Sequence, residues 1–339
     1  EENEKDKLVE NDELTKISSQ ALRHIGFSQK DTKIILDHIL TAELEGKKSH
    51  GVVRITKLKN QVASGKVSLT TDDPEVIKET PISLHVDGKS KTGLVVLDWV
   101  MDKAIEKARK NMVCFIGTKN VGPVSGMIGY FARKVTKEDL ILLGFNNSPA
   151  GLTPFGSKES LWGTNPFTVG IPTKNKGLPI VLDMASSKMT FGDVMIHKAL
   201  GKELPQGVSV DEEGNPTTDP AKAVKGSQLP FEGRKGSGLA IIVEILAGPL
   251  VGTKGGNVIK GEGEWGSFFV VLNPEMYRPT EELKEDVEKM IQELKNSKRQ
   301  EGVEEIYYPG EKSGKTYLKN QELGEIEIAD ELIEELKGI

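Results

Sequence analysis

The sequence predicts an α/β fold in which a sheet-forming middle part is bracketed by helical ends. Short apolar runs between turn residues recur from Val113 to Leu272, and their length is typical of strands. Apolar residues recur at helical spacing between Asn11 and Gly46, and again after Pro279. Because helical segments also lie between the apolar runs, an α/β architecture is favoured over a pure sandwich.

The first part of the chain is predicted to be helical up to about Gly65. Ser28 and Asp31 have the spacing of a capping box that opens one helix. Ser49 is predicted to cap the next helix, which carries Val52 and Ile55 on its apolar face.

The middle part is predicted to supply the strands of one sheet. The apolar runs cover residues 113–116, 140–145, 167–171, 180–182 and 268–272. Helices are predicted at 94–108 and 238–250, and 203–228 is predicted to be a long surface excursion rich in turn residues. After Pro279 an amphipathic helix and a last short helical segment follow.

Composition excludes several classes of function. The 339 residues carry a net charge of -6, which argues against nucleic acid as a partner. The longest apolar stretch is too short to span a bilayer, so no membrane role is expected. The acidic N-terminal residues lack the features of a signal peptide. The single cysteine, Cys114, fits a reducing compartment, and we expect a cytoplasmic protein.

Two glycine-rich motifs do not indicate phosphate-binding loops. The segment from Gly261 to Gly266 matches G-x-G-x-x-G, but a dinucleotide fingerprint requires a strand before it and a helix after it. Here a strand is predicted to follow, so the motif is interpreted as a turn. The segment from Gly310 to Thr316 has Pro309 where a phosphate-binding loop requires its first glycine.

The segment from Ser49 to Arg54 carries residues suited to acid chemistry. Helical spacing puts His50 and Arg54 on one face, one turn apart. An arginine fork can bind a carboxylate, and a histidine can exchange a proton with a carbinol or carbonyl oxygen. From these residues alone, a solvated helix start with a capping serine is the favoured interpretation, and the functional one stays open. The other four histidines are interpreted as structural.

The sequence resembles the malate/L-lactate dehydrogenase family, which includes ureidoglycolate, sulfolactate and diketogulonate enzymes. The resemblance covers nearly the whole chain and rests on motifs that recur in order. They are Ser49-His50-Gly51 with Arg54, Asn147-Ser148-Pro149, Pro154-Phe155-Gly156, Gly163-Thr164-Asn165-Pro166, Leu182-Asp183-Met184-Ala185-Ser186, Pro216-Thr217-Thr218-Asp219-Pro220 and Lys235-Gly236.

The resemblance implies a fold distinct from the Rossmann type, with two domains and a homodimeric assembly. Residues 1–115 with 280–339 would form a helical, substrate-binding and dimerisation domain, and residues 116–279 a nicotinamide cofactor-binding domain. His50, Ser49 and Arg54 are the expected catalytic residues. The expected cofactor-binding residues are Ser148, Thr164, Asn165, Asp183, Met184, Ala185, Ser186, Ser187, Lys235, Gly236, Pro309, Gly310 and Glu311. Asp183 has a second interpretation, as a plain turn or cap residue.

Two positions depart from the family pattern. Many relatives carry a catalytic histidine where this chain has Val124, and often another histidine where it has Ser267. Valine cannot carry a proton, so either His50 performs the acid/base step alone, or a group such as Lys119 assists, or the usual activity is lost. We expect His50 to act alone.

The resemblance therefore implies hydride transfer between NAD, favoured over NADP, and a small 2-oxo or 2-hydroxy acid, with no metal. Two alternatives stay open. One is reduction of a cyclic imine, an activity the family also contains. The other is cofactor binding without catalysis, which the replacements at Val124 and Ser267 motivate.

Overall fold

The computed structural model describes residues 6–123, 125–256 and 265–339. The N-terminal part holds β1 Asp6–Glu10, α1 Asn11–Ile25, α2 Gln29–Leu44, a 3-10 turn Lys48–His50 and α3 Val53–Ala63. The predicted capping of α2 is confirmed, because the backbone N–H of Asp31 donates to Ser28 Oγ at 3.0 Å.

The middle part supplies a seven-stranded sheet. Its elements begin with β2 Glu75–Thr80, β3 Ser83–Asp87, α4 Gly93–Asn111, β4 Val113–Val121, α5 Ile128–Thr136, β5 Ile141–Asn146, β6 Phe167–Ile171 and β7 Ile180–Met184. They continue with α6 Phe191–Ala199, β8 Ser209–Val210, β9 Pro216–Thr217, α7 Pro220–Lys225, β10 Ser227–Gln228, α8 Arg234–Ala247 and β11 Trp265–Leu272.

The C-terminal part returns to helices. It holds α9 Thr280–Asn296, α10 Glu311–Leu323, β12 Glu325–Ala329 and α11 Asp330–Lys337. None of the described helices combines the length and apolarity needed to cross a membrane.

The main sheet has the order β2-β3-β4-β11-β5-β6-β7, and only β3 and β4 run parallel. All five predicted runs are strands of this sheet, so the α/β prediction is confirmed and the strand order is not that of a Rossmann fold. The strands β2 and β3 were missed. Most of β2 is exposed at the edge and lacks an apolar face, so it carries no strand signal.

The stretch 203–228 is more ordered than predicted. Three short strands pair in the order β10-β8-β9, and a small core of Val194, Leu204, Val208 and Ala223 lies beneath them. The prediction of a bare surface excursion was therefore wrong, because the turn residues there connect very short elements.

Two hydrophobic cores organise the molecule. In one, α4 and α5 pack on the sheet around the fully buried Phe131 and Phe269. In the other, α1, α2 and α3 pack with β12 and α11, and β1 pairs with β12. The chain's two ends thus pack together, as the sequence predicts.

The elements and cores favour domain boundaries that differ from the predicted ones. The predicted boundary at residue 115 falls inside β4, and α9 packs against β6 and β7 through Val287 and Ile291. We propose that one unit runs from β2 to α9, and that β1 to α3 together with α10 to α11 form the helical unit. This division follows the two cores.

Candidate active site

A cavity of about 840 Å³ lies where the helical unit meets the sheet. One wall is the turn from Gly46 to His50 with Arg54 and Lys57 of α3. The facing segments come from residues 125–128, 147–151 and 183–185, and from the start of α6. The volume is within the range of small-molecule and cofactor sites.

The turn that carries His50 is fixed by a buried carboxyl group. Val52 donates its backbone N–H to Glu43 Oε1 at 2.7 Å, and Arg54 Nε donates to the Ser49 carbonyl at 2.7 Å. A Cβ on Gly51 would lie 1.9 Å from Glu43 Oε1, so only glycine fits there. The turn therefore presents its side chains from a rigid backbone.

Ser49 does not cap α3, contrary to the prediction. The cap position is Val52, and the 3-10 turn with Gly51 separates Ser49 from the helix. Since Glu43 already accepts from the Val52 N–H, no serine oxygen is needed there. Ser49 Oγ instead lies 3.1 Å from His50 Nδ1, within hydrogen-bond distance.

The surroundings of His50 favour its neutral form. Burial lowers its pKa to about 3, and the charges of Arg54, Lys47 and Lys57 act in the same direction. With Nδ1 beside Ser49, Nε2 is the nitrogen that has no partner among the described residues. A neutral imidazole held this way can accept a proton from a substrate hydroxyl group.

Arg54 and Lys57 bring positive charge to the same cavity. Burial lowers the pKa of the Arg54 guanidinium to about 10, so it stays charged at neutral pH. Burial, followed by the charge of Arg54, lowers the pKa of Lys57 to about 8. An anion is the ligand that such a wall favours.

His38 supports the segment opposite His50, a role the sequence did not indicate. Met127 donates its backbone N–H to His38 Nε2 at 2.9 Å, and the imidazole stacks on Tyr130 at 4.3 Å between ring centres. Gly126 has a φ of +72°, and a Cβ there would lie 2.3 Å from His38 Nε2. Burial lowers the pKa of His38 to about 3, so it stays an acceptor.

Five of the residues expected to bind the cofactor line the cavity: Ser148, Thr164, Asp183, Met184 and Ala185. Asp183 also serves as a cap, because Gly129 at the start of α5 donates its N–H to Asp183 Oδ2 at 2.8 Å. Burial is the main cause that raises the pKa of this carboxyl group. The contact with Gly129 supports the interpretation of Asp183 as a cap, and its role in binding the cofactor stays a prediction.

Three other expected residues lie behind the cavity wall. Asn165 donates to the Ala240 carbonyl at 2.9 Å and to Glu244 Oε2 at 2.6 Å. Ser186 Oγ donates to the Asn165 carbonyl, and Ser187 Oγ to the Met189 carbonyl, each at 2.7 Å. These contacts fix the wall's backbone.

The remaining expected residues lie outside the cavity lining. Lys235 is exposed at the start of α8, and Gly236 packs so closely on Phe231 and Ser186 that a Cβ would not fit. The Val181 N–H donates to the Pro309 carbonyl at 2.9 Å, and Gly310 also lies against Val181. Glu311 is ion-paired with Lys295 at 2.5 Å and with Lys315 at 3.0 Å.

Gln228 and Trp265 are among the cavity residues that the sequence analysis did not single out. Gln228 Oε1 and Trp265 Nε1 are buried polar atoms without a hydrogen-bond partner among the residues that the structure describes, and both residues belong to the lining. Because buried polar atoms are usually paired, this wall has one acceptor and one donor that could form hydrogen bonds with a ligand. No sequence pattern distinguishes these residues from ordinary strand residues.

Several expectations cannot be placed in the site. Val124 and residues 261–264 lie outside the described residues. Ser267 is buried in β11, and neither it nor Lys119 lines the cavity. Across the described ranges, no group of three or more His, Cys, Asp or Glu side chains is arranged to hold a metal ion.

Glu43 gives a prediction on the pH dependence of stability. Burial raises its pKa to about 7, so folding favours the protonated form, and this stabilisation is lost as pH rises from about 4.3 to about 7. Glu43→Gln keeps an acceptor for Val52 and does not titrate. We expect its stability relative to the native chain to improve by on the order of 2 kcal/mol between pH 5 and pH 8.

Denaturant unfolding at several pH values measures this difference, and other titrating groups cancel in the comparison. The exposed Glu322, changed to Gln, is the matched control. A difference between Glu43→Gln and the native chain that does not vary with pH would contradict the assignment.

Comparisons with known proteins identify the family of this chain. The malate/L-lactate dehydrogenase family matches residues 9–337. The L-sulfolactate dehydrogenase of Methanocaldococcus jannaschii is 34% identical over 331 residues, which cover 96% of this chain and 94% of that protein. A pyrroline/piperideine-2-carboxylate reductase of Pseudomonas aeruginosa is 32% identical over 241 residues, 71% of each chain.

Solved structures have the same fold. The malate dehydrogenase of Entamoeba histolytica superposes with a TM-score of 0.93 at 26% identity, and the match covers 98% of this chain and 97% of that one. Among the similar enzymes, the name of one specifies NADP⁺ and the name of another specifies NAD⁺. The chain belongs to the malate/L-lactate dehydrogenase family.

Proposed function

We propose that this chain transfers a hydride between NAD(P)H and a small 2-oxo or 2-hydroxy acid. The observation that carries the proposal is the joint placement of His50 and Arg54 in one cavity, on a turn fixed by Glu43. Ser49 would orient the imidazole, and Arg54 would bind the substrate carboxylate.

The cavity's polar groups fit the nicotinamide part of the cofactor. The orphaned Gln228 Oε1 accepts, and the orphaned Trp265 Nε1–H donates, which together match a carboxamide. Hydroxyl groups of Ser148 and Thr164 lie on the same lining. We propose that Asn165, Ser186 and Ser187 act indirectly by fixing this wall, and that Lys235, Gly236 and residues 309–311 contact more distant parts of the cofactor.

In the oxidation direction, neutral His50 takes the proton of the substrate hydroxyl group while Arg54 holds the carboxylate. Nicotinamide, when bound, accepts or supplies the hydride. In the reduction direction, His50 must be protonated. An anionic substrate offsets the charges of Arg54, Lys47 and Lys57, which removes one cause of the low pKa of His50. Substrate binding thereby favours the protonated form of His50 that reduction requires.

Oxidation of NADH and of NADPH, monitored by absorbance, tests this proposal. The substrates are pyruvate, oxaloacetate, oxaloglycolate, sulfopyruvate, 2-oxo-pantoate and a cyclic imine. We expect turnover of at least one 2-oxo acid, and the faster cofactor identifies the preference. Cofactor binding with no turnover of any substrate would contradict the proposal and favour binding without catalysis.

Reduction of a cyclic imine is the second candidate. It is favoured by the similarity to the reductase of Pseudomonas aeruginosa. A cyclic imine acid offers the same carboxylate to Arg54 and an imine nitrogen to His50. Turnover of the imine with no turnover of the 2-oxo acids selects this function.

We also propose a cytoplasmic homodimer. Helix α8 exposes Ile241, Ile242 and Ile245, and Leu250 follows them with 58% of its surface accessible. A second copy of the chain would cover this apolar face in an isologous interface. The buried free thiol of Cys114 is consistent with a reducing compartment.

Sedimentation of the native chain should give twice its mass of 37.0 kDa. Ile242→Asp would place a charge in the interface and is expected to shift the protein to the monomer. Met290→Asp, at an exposed position on α9, is the control. A monomeric native protein, or an Ile242→Asp variant that remains dimeric, would contradict the assembly.

A further inference from the structure

Helix α3 carries a second cation beside the arginine of the site. Arg54 and Lys57 are three residues apart, a spacing that places side chains on one face of a helix. Both side chains line the cavity that holds His50. The face of α3 that lines the cavity therefore carries two neighbouring positive charges.

Lys57 differs from the other buried lysines. Lys91 is paired with Asp31 at 3.1 Å, and Lys284 with Asp139 at 2.6 Å. In the part of the chain that the structure describes, no carboxylate is paired with the half-buried Lys57. With a pKa of about 8 it is mostly protonated at neutral pH, so its charge is desolvated without compensation.

The acidic residues around the cavity are engaged elsewhere. Asp183 accepts from Gly129, and Asp193 accepts from the Thr190 hydroxyl group at 2.8 Å. Lys47, in contrast, has Glu45 at 3.3 Å. The charge of Lys57 is thus left for a ligand that enters the cavity.

We propose that Lys57 binds a second anionic group of the substrate, so that the preferred 2-oxo acid is doubly charged. This inference rests on the proposed function, in which Arg54 binds the carboxylate next to the oxo group. Side chains three residues apart have Cβ atoms about 5–6 Å apart. Three carbon–carbon bonds of about 1.5 Å each give a four-carbon acid a comparable reach.

A phosphate of the cofactor is the other anion that Lys57 could meet. The position of Lys57 favours the substrate, because it shares a helix face with Arg54. The residues expected to contact the cofactor in the cavity come instead from the loops and strands of the sheet. If Lys57 binds the substrate, its replacement changes kcat/KM for the doubly charged acid. If it binds a cofactor phosphate, the replacement raises the KM for NADH.

The test compares the native chain with Lys57→Met and Lys57→Arg, and with Lys59→Met as an exposed control on the same helix. For each, kcat/KM is measured with oxaloacetate and with pyruvate, and KM with NADH. In Lys57→Met we expect the ratio of kcat/KM for oxaloacetate over pyruvate to fall by about 10- to 100-fold. Lys57→Arg should restore most of the ratio.

An unchanged ratio in Lys57→Met overturns the inference. A selective rise in the KM for NADH also overturns it, and assigns the lysine to a cofactor phosphate. If the native chain turns over neither of these two acids, the kinetic ratio is undefined, and binding of succinate, followed by calorimetry, decides about Lys57 alone. The proposed function itself fails only if no 2-oxo acid of the wider panel is turned over. Succinate binding weakened at least tenfold by Lys57→Met supports the subsite, and equal binding overturns it.

Discussion

Replacing His50 with glutamine is expected to lower kcat/KM by about 10²- to 10⁴-fold, the usual contribution of a positioned acid/base. Glutamine can still hydrogen-bond to a substrate oxygen, but it cannot exchange a proton with it. Because the turn is held by Glu43 and the Ser49 carbonyl, the variant should fold normally. Steady-state kinetics and thermal unfolding measure both effects.

His24→Gln, on the exposed side of α1, is the matched control and should keep full activity. Undiminished turnover in His50→Gln would remove His50 from the mechanism. The acid/base group would then have to be another one, such as Lys119, even though that residue does not line the cavity.

Replacing Arg54 with methionine is expected to lower kcat/KM by about 10²- to 10⁴-fold. Two charge-assisted hydrogen bonds to a carboxylate are lost, each worth about 1.5–3 kcal/mol. The bond from Nε to the Ser49 carbonyl is lost as well, so part of the effect comes from a looser turn. The loss should be largest in KM, because the carboxylate is bound throughout the reaction.

Arg54→Lys separates charge from geometry. It keeps the positive charge but loses the planar fork, and we expect an intermediate loss. Arg109→Met, at an exposed ion pair on α4, controls for the loss of an arginine elsewhere. A KM for the acid that stays at the native value in Arg54→Met would exclude this residue as the carboxylate ligand.

Periodicity and apolar runs were sufficient to predict the fold class. The five predicted strands and the main helices have enough apolar residues at regular spacing to be recognised. The edge strand β2 does not, because its side chains face solvent. The exact start of α3 also escaped prediction. The carboxylate of Glu43, nine residues before Val52, accepts the Val52 N–H and takes the place of the expected serine cap.

The candidate site was predictable only where one short segment carries the chemistry. His50 and Arg54 lie only four residues apart in sequence, so they were singled out together. The predicted single helix was wrong, because His50 lies in the 3-10 turn and Arg54 in α3. His38 and Met127 are 89 residues apart in sequence, and their contact arises from tertiary packing. For the same reason Gln228 and Trp265 look like ordinary strand residues until the fold brings them to the cavity.

The pairing of β1 with β12 has a consequence for how the protein matures. Val52 at the cap of α3, with Ile55 and Leu58 of the helix, packs in the same core as Ile326, Ile328, Ile333 and Leu336. During synthesis, the helix that bears Arg54 therefore lacks part of its packing until residues 326–336 have left the ribosome. We expect the nascent chain to remain inactive until β12 and α11 dock, so that activity appears only after this core has formed.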